Sequence, residues 1–138
     1  MRYHSFRMVK ILKNAKATQQ YAYDLAIRLR EKRRSGKNAV VIALQGDLGA
    51  GKTTFAKSFI RSLGIKKRVT SPTFLLVREY QVPRGRKRGW VEKVTHADLY
   101  RIHKHSEIST LKFRELLKDP KRIVLIEWPE KLRSFLPR

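Results

Sequence analysis

Eight consecutive residues, Gly46-Asp47-Leu48-Gly49-Ala50-Gly51-Lys52-Thr53, have the types and spacing needed to hold a phosphate chain. The pattern is Gly-x-x-x-x-Gly-Lys-Thr, the phosphate-binding loop. Its glycines let backbone N–H groups turn inward around an anion more tightly than residues with a Cβ allow. Lys52 brings a point charge to the β/γ-phosphates, and the Thr53 hydroxyl is an oxygen ligand for Mg²⁺. Two acids belong to the same chemistry. Asp98 closes the stretch His96-Ala97-Asp98 and is a candidate catalytic group or contact to a metal-bound water. Glu127 ends the apolar run Arg122-Ile123-Val124-Leu125-Ile126-Glu127. In a parallel nucleotide-binding sheet this puts a carboxylate at the carboxyl end of a buried strand, opposite Thr53, where a fixed anion holds the metal or its water. His103 and His105 stand two residues apart with no third ligand nearby and read as solvent-exposed helix-end histidines rather than a metal pair.

A phosphate loop must follow a buried strand and open a helix. Upstream, Ala39 to Leu44 is a continuous apolar run, giving a strand over 39–45. Downstream, Ala56, Phe59, Ile60 and Leu63 recur at helical spacing up to Gly64, giving a helix over 53–63. An earlier helix runs from about Thr18, a plausible N-cap, to Arg34, with Ala22, Leu25, Ala26 and Leu29 as its apolar stripe. Strands are expected over 74–80 and 90–97, antiparallel or at an edge, with a further weak edge strand over 5–12. Residues 106–118 read as one or two short helices, and Trp128-Pro129 opens another. The fold expected is α/β: a three-layer P-loop NTPase domain with a mostly parallel central sheet, occupying residues 1–138 as a single domain.

The chain has 33 Lys+Arg against 11 Asp+Glu, a net charge of +22. That balance fits a polyanionic partner, or a basic surface that is simply solvated. Arg30 to Arg34 complements a negative helix end or meets nucleic acid. The Pro83–Gly89 loop carries Arg84, Arg86, Lys87 and Arg88, with Trp90 or Tyr80 close by for base stacking, or is a solvated tip. There is no cysteine, so no disulfide, thiolate metal site or cysteine nucleophile. No apolar stretch approaches the length of a membrane span, and Met1 to Leu12 lacks a signal-peptide core. The expectation is a cytoplasmic protein.

Four segments in order now resemble one family: Gly46 to Phe55, Ser71-Pro72-Thr73-Phe74, His96-Ala97-Asp98-Leu99-Tyr100-Arg101 and Ile126-Glu127-Trp128-Pro129-Glu130. Together they resemble the TsaE (YjeE) family of small bacterial ATPases, over roughly residues 10–137. The resemblance implies ATP as substrate, Mg²⁺ as cofactor, and a role in forming threonylcarbamoyladenosine beside the tRNA anticodon. The implied partners are the TsaD–TsaB transferase pair and tRNA, met directly or through that complex. By position, Asp47, Gly49, Ala50, Gly51, Lys52, Thr53, Thr54 and Thr18 contact the nucleotide, and Thr53 with Glu127 holds Mg²⁺. Thr73 belongs to a switch loop, Asp98 orients water or supports the metal, and Trp128 reports nucleotide binding. Members usually continue past the Leu-Pro found here at Leu136-Pro137, adding strands that help close the base pocket, so a weaker hold on the base is expected.

Two other classes share these residues. A small-molecule or nucleotide kinase uses the same loop but needs an Arg-bearing lid, for which Arg84–Arg88 is the one stretch available. An ATP-switched tRNA-binding module with little turnover needs only the loop and the basic surface.

Overall fold

The computed structural model describes residues 10–32, 36–70, 76–85, 89–110 and 112–132. Helix α1 spans Ala15–Glu31, strand β1 Val40–Leu44, helix α2 Lys52–Ser62, strand β2 Val77–Gln81 and strand β3 Lys93–Asp98. Two short helices follow, α3 at His105–Thr110 and α4 at Phe113–Leu117, then strand β4 at Arg122–Glu127 and a 3₁₀ turn at Pro129–Leu132.

The strands form one sheet in the order β1-β4-β3-β2. β4 pairs parallel with both β1 and β3, while β2 runs antiparallel to β3 at the edge. Every residue of β4 is buried. A strand with helices over both faces must be apolar throughout rather than alternating, as Ile123-Val124-Leu125-Ile126 is. Side chains alternate between faces. Ile123 and Leu125 join Val94, Tyr80, Ala22, Ala26, Phe55, Ala56 and Phe59 beneath α1 and α2. Val124 and Ile126 join Ala97, Leu99, Ile108, Phe113 and Leu132 on the other face. Helices, sheet and helices thus make three layers. Ala22 and Ala26, one turn apart and fully buried, let α1 approach α2 closely.

Three expectations change in detail. Helix α1 starts at Asn14, not Thr18: the Asn14 side chain accepts a hydrogen bond from the Ala17 N–H at 2.9 Å. Both residues can cap, and the earlier cap wins because it adds a turn, closed by Thr18 N–H donating to Asn14 O at 3.1 Å. The strand expected over 90–97 begins at Lys93 and is interior, parallel to β4 as well as antiparallel to β2. Trp90 is diverted from it, its indole Nε1–H donating to Leu29 O at 2.6 Å. Of the strand expected over 5–12, residues 1–9 lie outside the described residues, and residues 10–12 form no strand. Among the described residues, no helix is long and apolar enough to cross a membrane.

Phe59 is fully buried and stacked on Phe55 at 6.0 Å between ring centroids. Phe59→Ala should lower unfolding free energy by about 3–5 kcal/mol in a urea titration. Tyr23→Ala, on the half-exposed side of α1, should stay within about 0.5 kcal/mol of the parent. Equal effects would mean that α2 does not pack on the sheet as described.

Candidate functional site: a phosphate loop facing a buried carboxylate

β1 ends at Leu44 and delivers the 46–53 loop to the carboxyl edge of the sheet. Gly49 and Gly51 adopt φ of 81° and 91°, the left-handed region that side chains with a Cβ resist. Gly51 is the N-cap of α2 and offers no side-chain cap, so the first N–H groups of the helix keep their donors for another acceptor. A Cβ at Gly46 would stand 3.1 Å from the Ala50 Cβ, a tight contact that would require the loop to give by a few tenths of an ångström. Ala50 N–H donates to Asp47 O at 3.1 Å and closes the turn. Thr18 of α1 flanks the loop: its methyl and hydroxyl lie 3.9 Å from where a Gly51 Cβ would be.

Lys52 is buried, yet its ammonium meets no acid at bonding distance among the described residues. It donates to Gly46 O at 2.6 Å and Asp47 O at 2.7 Å and stands 4.1 Å from the centroid of the Trp128 ring. Asp47 therefore contributes its carbonyl, while its side chain is exposed. Trp128 takes a left-handed φ of 60°, uncommon for a bulky residue, directly after β4. Its ring packs against Tyr100 at 5.1 Å.

Across the cleft, Thr53 Oγ1–H donates to Glu127, 2.9 Å from Oε2 and 3.2 Å from Oε1. Glu127 is 2% exposed. Its Oε1 also lies 2.8 Å from His96 Nε2 on the fully buried His96 ring. A carboxylate accepts, so Nε2 carries the proton; Nδ1 is buried with no hydrogen-bond partner. Asp98 is the register partner of Glu127 and accepts from Tyr100 N–H at 3.0 Å. The cleft between these groups measures about 240 Å³ and is lined by Leu48, Gly49 and residues 51–54 of the loop together with Asp98, Tyr100, Glu127 and Trp128.

The structure thus brings together Lys52, Thr53, Thr54, Glu127 and Asp98, with Thr18, Asp47, Gly49, Ala50 and Gly51 in or against the loop. Thr73 lies outside the described residues, as do Arg86, Lys87 and Arg88. His103 is exposed. Trp90 and Tyr80, expected to stack on bases, do not present free rings: Tyr80 is buried, and Trp90 packs on the α1–α2 core. The residue that sequence reasoning missed is His96. Its signal was present in the period of a strand: His96 and Asp98 alternate onto one face, the face that Glu127 shares.

The donor set fits Mg²⁺. A hydroxyl and a carboxylate oxygen are hard ligands already 2.9 Å apart. Among the described residues no group of three His, Cys, Asp or Glu could hold a metal alone. That suits an ion that binds through one or two protein oxygens, substrate phosphates and water.

A family profile described as "Threonylcarbamoyl adenosine biosynthesis protein TsaE" matches residues 12–138. The chain belongs to the TsaE family. It is 36% identical over 101 residues to the tRNA threonylcarbamoyladenosine biosynthesis protein TsaE of Haemophilus influenzae, covering 73% of this chain and 59% of that one. The corresponding TsaE of Bacillus subtilis is 39% identical over 98 residues, covering 71% and 56%. The TsaE of Aquifex aeolicus is 35% identical over 123 residues, covering 88% and 76%. The chain thus aligns with less than two thirds of the first two TsaE relatives. The solved structure "Crystal structure of Bacillus subtilus YdiB" superposes with a TM-score of 0.61 at 30% identity, over 90% of this chain and 66% of that one. The TsaE assignment accords with the P-loop architecture and with the four motifs that first suggested it.

His96→Ala would leave the buried Glu127 carboxylate with Thr53 as its remaining donor, and should cost about 1–3 kcal/mol in urea unfolding. His96→Gln, whose amide can donate toward the same oxygen, should recover part of the loss. A His96→Ala protein as stable as the parent would mean that this bond does not support the carboxylate.

Proposed function

We propose that this chain binds ATP with Mg²⁺ in the 46–53 loop and hydrolyses it in support of threonylcarbamoylation of tRNA adenosine next to the anticodon, acting with the TsaD–TsaB transferase complex. One observation carries the reading: Lys52, Thr53 and Glu127 converge on one cleft, with the Thr53 hydroxyl 2.9 Å from the Glu127 carboxylate. The TsaE relatives, named for tRNA threonylcarbamoyladenosine biosynthesis, support the tRNA-modification part of the reading.

Lys52 exchanges the Gly46 and Asp47 carbonyls for phosphate oxygens, which carry full negative charge where the carbonyls carry only dipoles. The loop amides and the uncapped start of α2 hold the same phosphates. Thr53 and Glu127 would hold the metal, His96 keeping the Glu127 carboxylate turned toward Thr53. Held by Thr53 and Glu127, Mg²⁺ would supply positive charge to offset that of the phosphates. Asp98, on the strand end beside Glu127, orients the attacking water. Thr73 belongs to a segment that senses the γ-phosphate. Turnover resets the transferase complex between rounds, and the site of action is the cytoplasm.

Lys52→Ala and Glu127→Gln should each cut Mg²⁺-dependent ATP hydrolysis by about 10²-fold or more. Asp98→Asn should lose hydrolysis by a similar factor while nucleotide affinity, followed by Trp128 fluorescence, stays close to the parent. Reconstitution with TsaD, TsaB and tRNA should give multiple-turnover modification only with the active chain. Equal activity of the parent and Lys52→Ala in these assays would remove the hydrolase reading.

A further inference from the structure

The two helices that begin beside the phosphate loop end together, away from it. Helix α2 leaves the loop at Lys52 and, at about 1.5 Å per residue, its 11 residues carry the chain roughly 16 Å from the nucleotide cleft. Gly64, at φ 87°, then turns the chain into Ile65-Lys66-Lys67-Arg68-Val69. Ile65 and Val69 are buried and anchor this stretch, so the three cations between them are held on the surface. Helix α1 packs along α2 and finishes at exposed Arg30 and Lys32. The turn after β2 closes the cluster. Trp90 is tied to Leu29 O, a Cβ on Gly89 would stand 3.2 Å from Arg30 Cγ, and one on Gly64 would stand 4.0 Å from Pro83 Cγ. Arg84, which follows Pro83, is exposed.

Little on these three segments offsets that charge. Their acids are Glu31 and Glu92. Glu92 bonds Lys121 at 2.7 Å, and that hydrogen bond, with the charges of Lys121 and Arg84, holds its carboxyl below the usual range. It is ionised near neutrality and already matched to a cation. The large hydrophobic side chains exposed on the described surface are Ile11, Tyr23, Leu48 and Tyr100, none of them on these segments. Protein interfaces tend to carry an apolar core inside a polar rim, and these segments offer none among the described residues. A nucleic-acid backbone needs cations spaced on a rigid support, and no apolar patch.

We propose that this basic face, built from the ends of α1 and α2, the Lys66–Arg68 stretch and Arg84, binds the phosphate backbone of RNA directly. It lies at the other end of α2 from the phosphate loop, so RNA and nucleotide are held together without competing. The choice of RNA over another polyanion rests on the tRNA reading of the preceding section; the face itself rests on geometry and charge.

Titration of the full chain with a fluorescent tRNA transcript over a salt series tests it. The observed affinity should fall with salt at a log–log slope of about −4, as expected for five or so neutralised phosphates. The triple change Lys66→Gln, Lys67→Gln, Arg68→Gln should reduce the slope by about 2 and weaken binding roughly tenfold or more, with nucleotide-induced Trp128 fluorescence unchanged. An equal loss of charge through Lys112→Gln, Arg114→Gln and Lys118→Gln, at α4 on the opposite layer, should have little effect. A flat salt response, an equal loss from the α4 triple, or tighter binding of polyglutamate than of tRNA would each overturn the proposal. Loss of RNA binding with ATP hydrolysis intact sinks this face alone, whereas RNA binding that persists without hydrolysis sinks the enzyme reading alone.

Discussion

The carboxylate of Glu127 is a charge sunk into the sheet at 2% exposure, and the site depends on how it is tolerated there. A buried carboxylate without donors is costly enough to be neutralised or expelled. Here two donors reach it from elements that only the finished fold brings together. One is the Thr53 hydroxyl at the start of α2, 74 positions away in the chain; the other is the His96 ring on β3. Parallel register does the alignment. Leu44 of β1 and Asp98 of β3 both pair with Glu127, so three strands end at one level. The loop after β1, the carboxylate ending β4 and the acid ending β3 then form a row along the same edge, where open parallel sheets place their ligands.

Much of this was legible from residue types because the local and global requirements coincide. The 46–53 loop announces itself through glycines that are needed for backbone reasons, and the structure puts two of them in left-handed geometry. β4 matches its expected range of 122–127, because a strand buried on both faces carries a continuous apolar run. What stayed hidden depends on choices between equals. Asn14 and Thr18 are both good caps, and the earlier one is used because it adds a turn of helix. Strand β3 reads as an edge because its Thr95 and His96 are polar, but both are fully buried inside the sheet. Thr95 is reached by the buried Arg122 at 2.6 Å, which also pairs with Glu79 and Asp119, while His96 is reached by Glu127. Buried polar residues that satisfy one another look, in sequence, like residues that face water.

The pairing that does not occur is as informative as those that do. Among the described residues, Lys52 and Glu127 line one cleft but form no ion pair. Each is satisfied by other groups instead: Lys52 by two carbonyls and an aromatic face, Glu127 by a hydroxyl and the His96 ring. A direct bridge between them would neutralise the site and would have to be broken by any incoming ligand. Kept apart, they present a positive and a negative pole to the same space, the pattern required by a ligand that is itself an anion carrying a cation. Trp128 helps maintain the separation. It follows Glu127 directly, and its left-handed backbone conformation is of the kind that costs on the order of 1–2 kcal/mol unless its surroundings hold it. What holds it is Tyr100 on one contact and the Lys52 ammonium on another. Were Lys52 drawn away to an anion in the loop, the ring would lose one of these two contacts. The Lys52 ammonium and the residue that follows Glu127 are thus in contact, 4.1 Å apart.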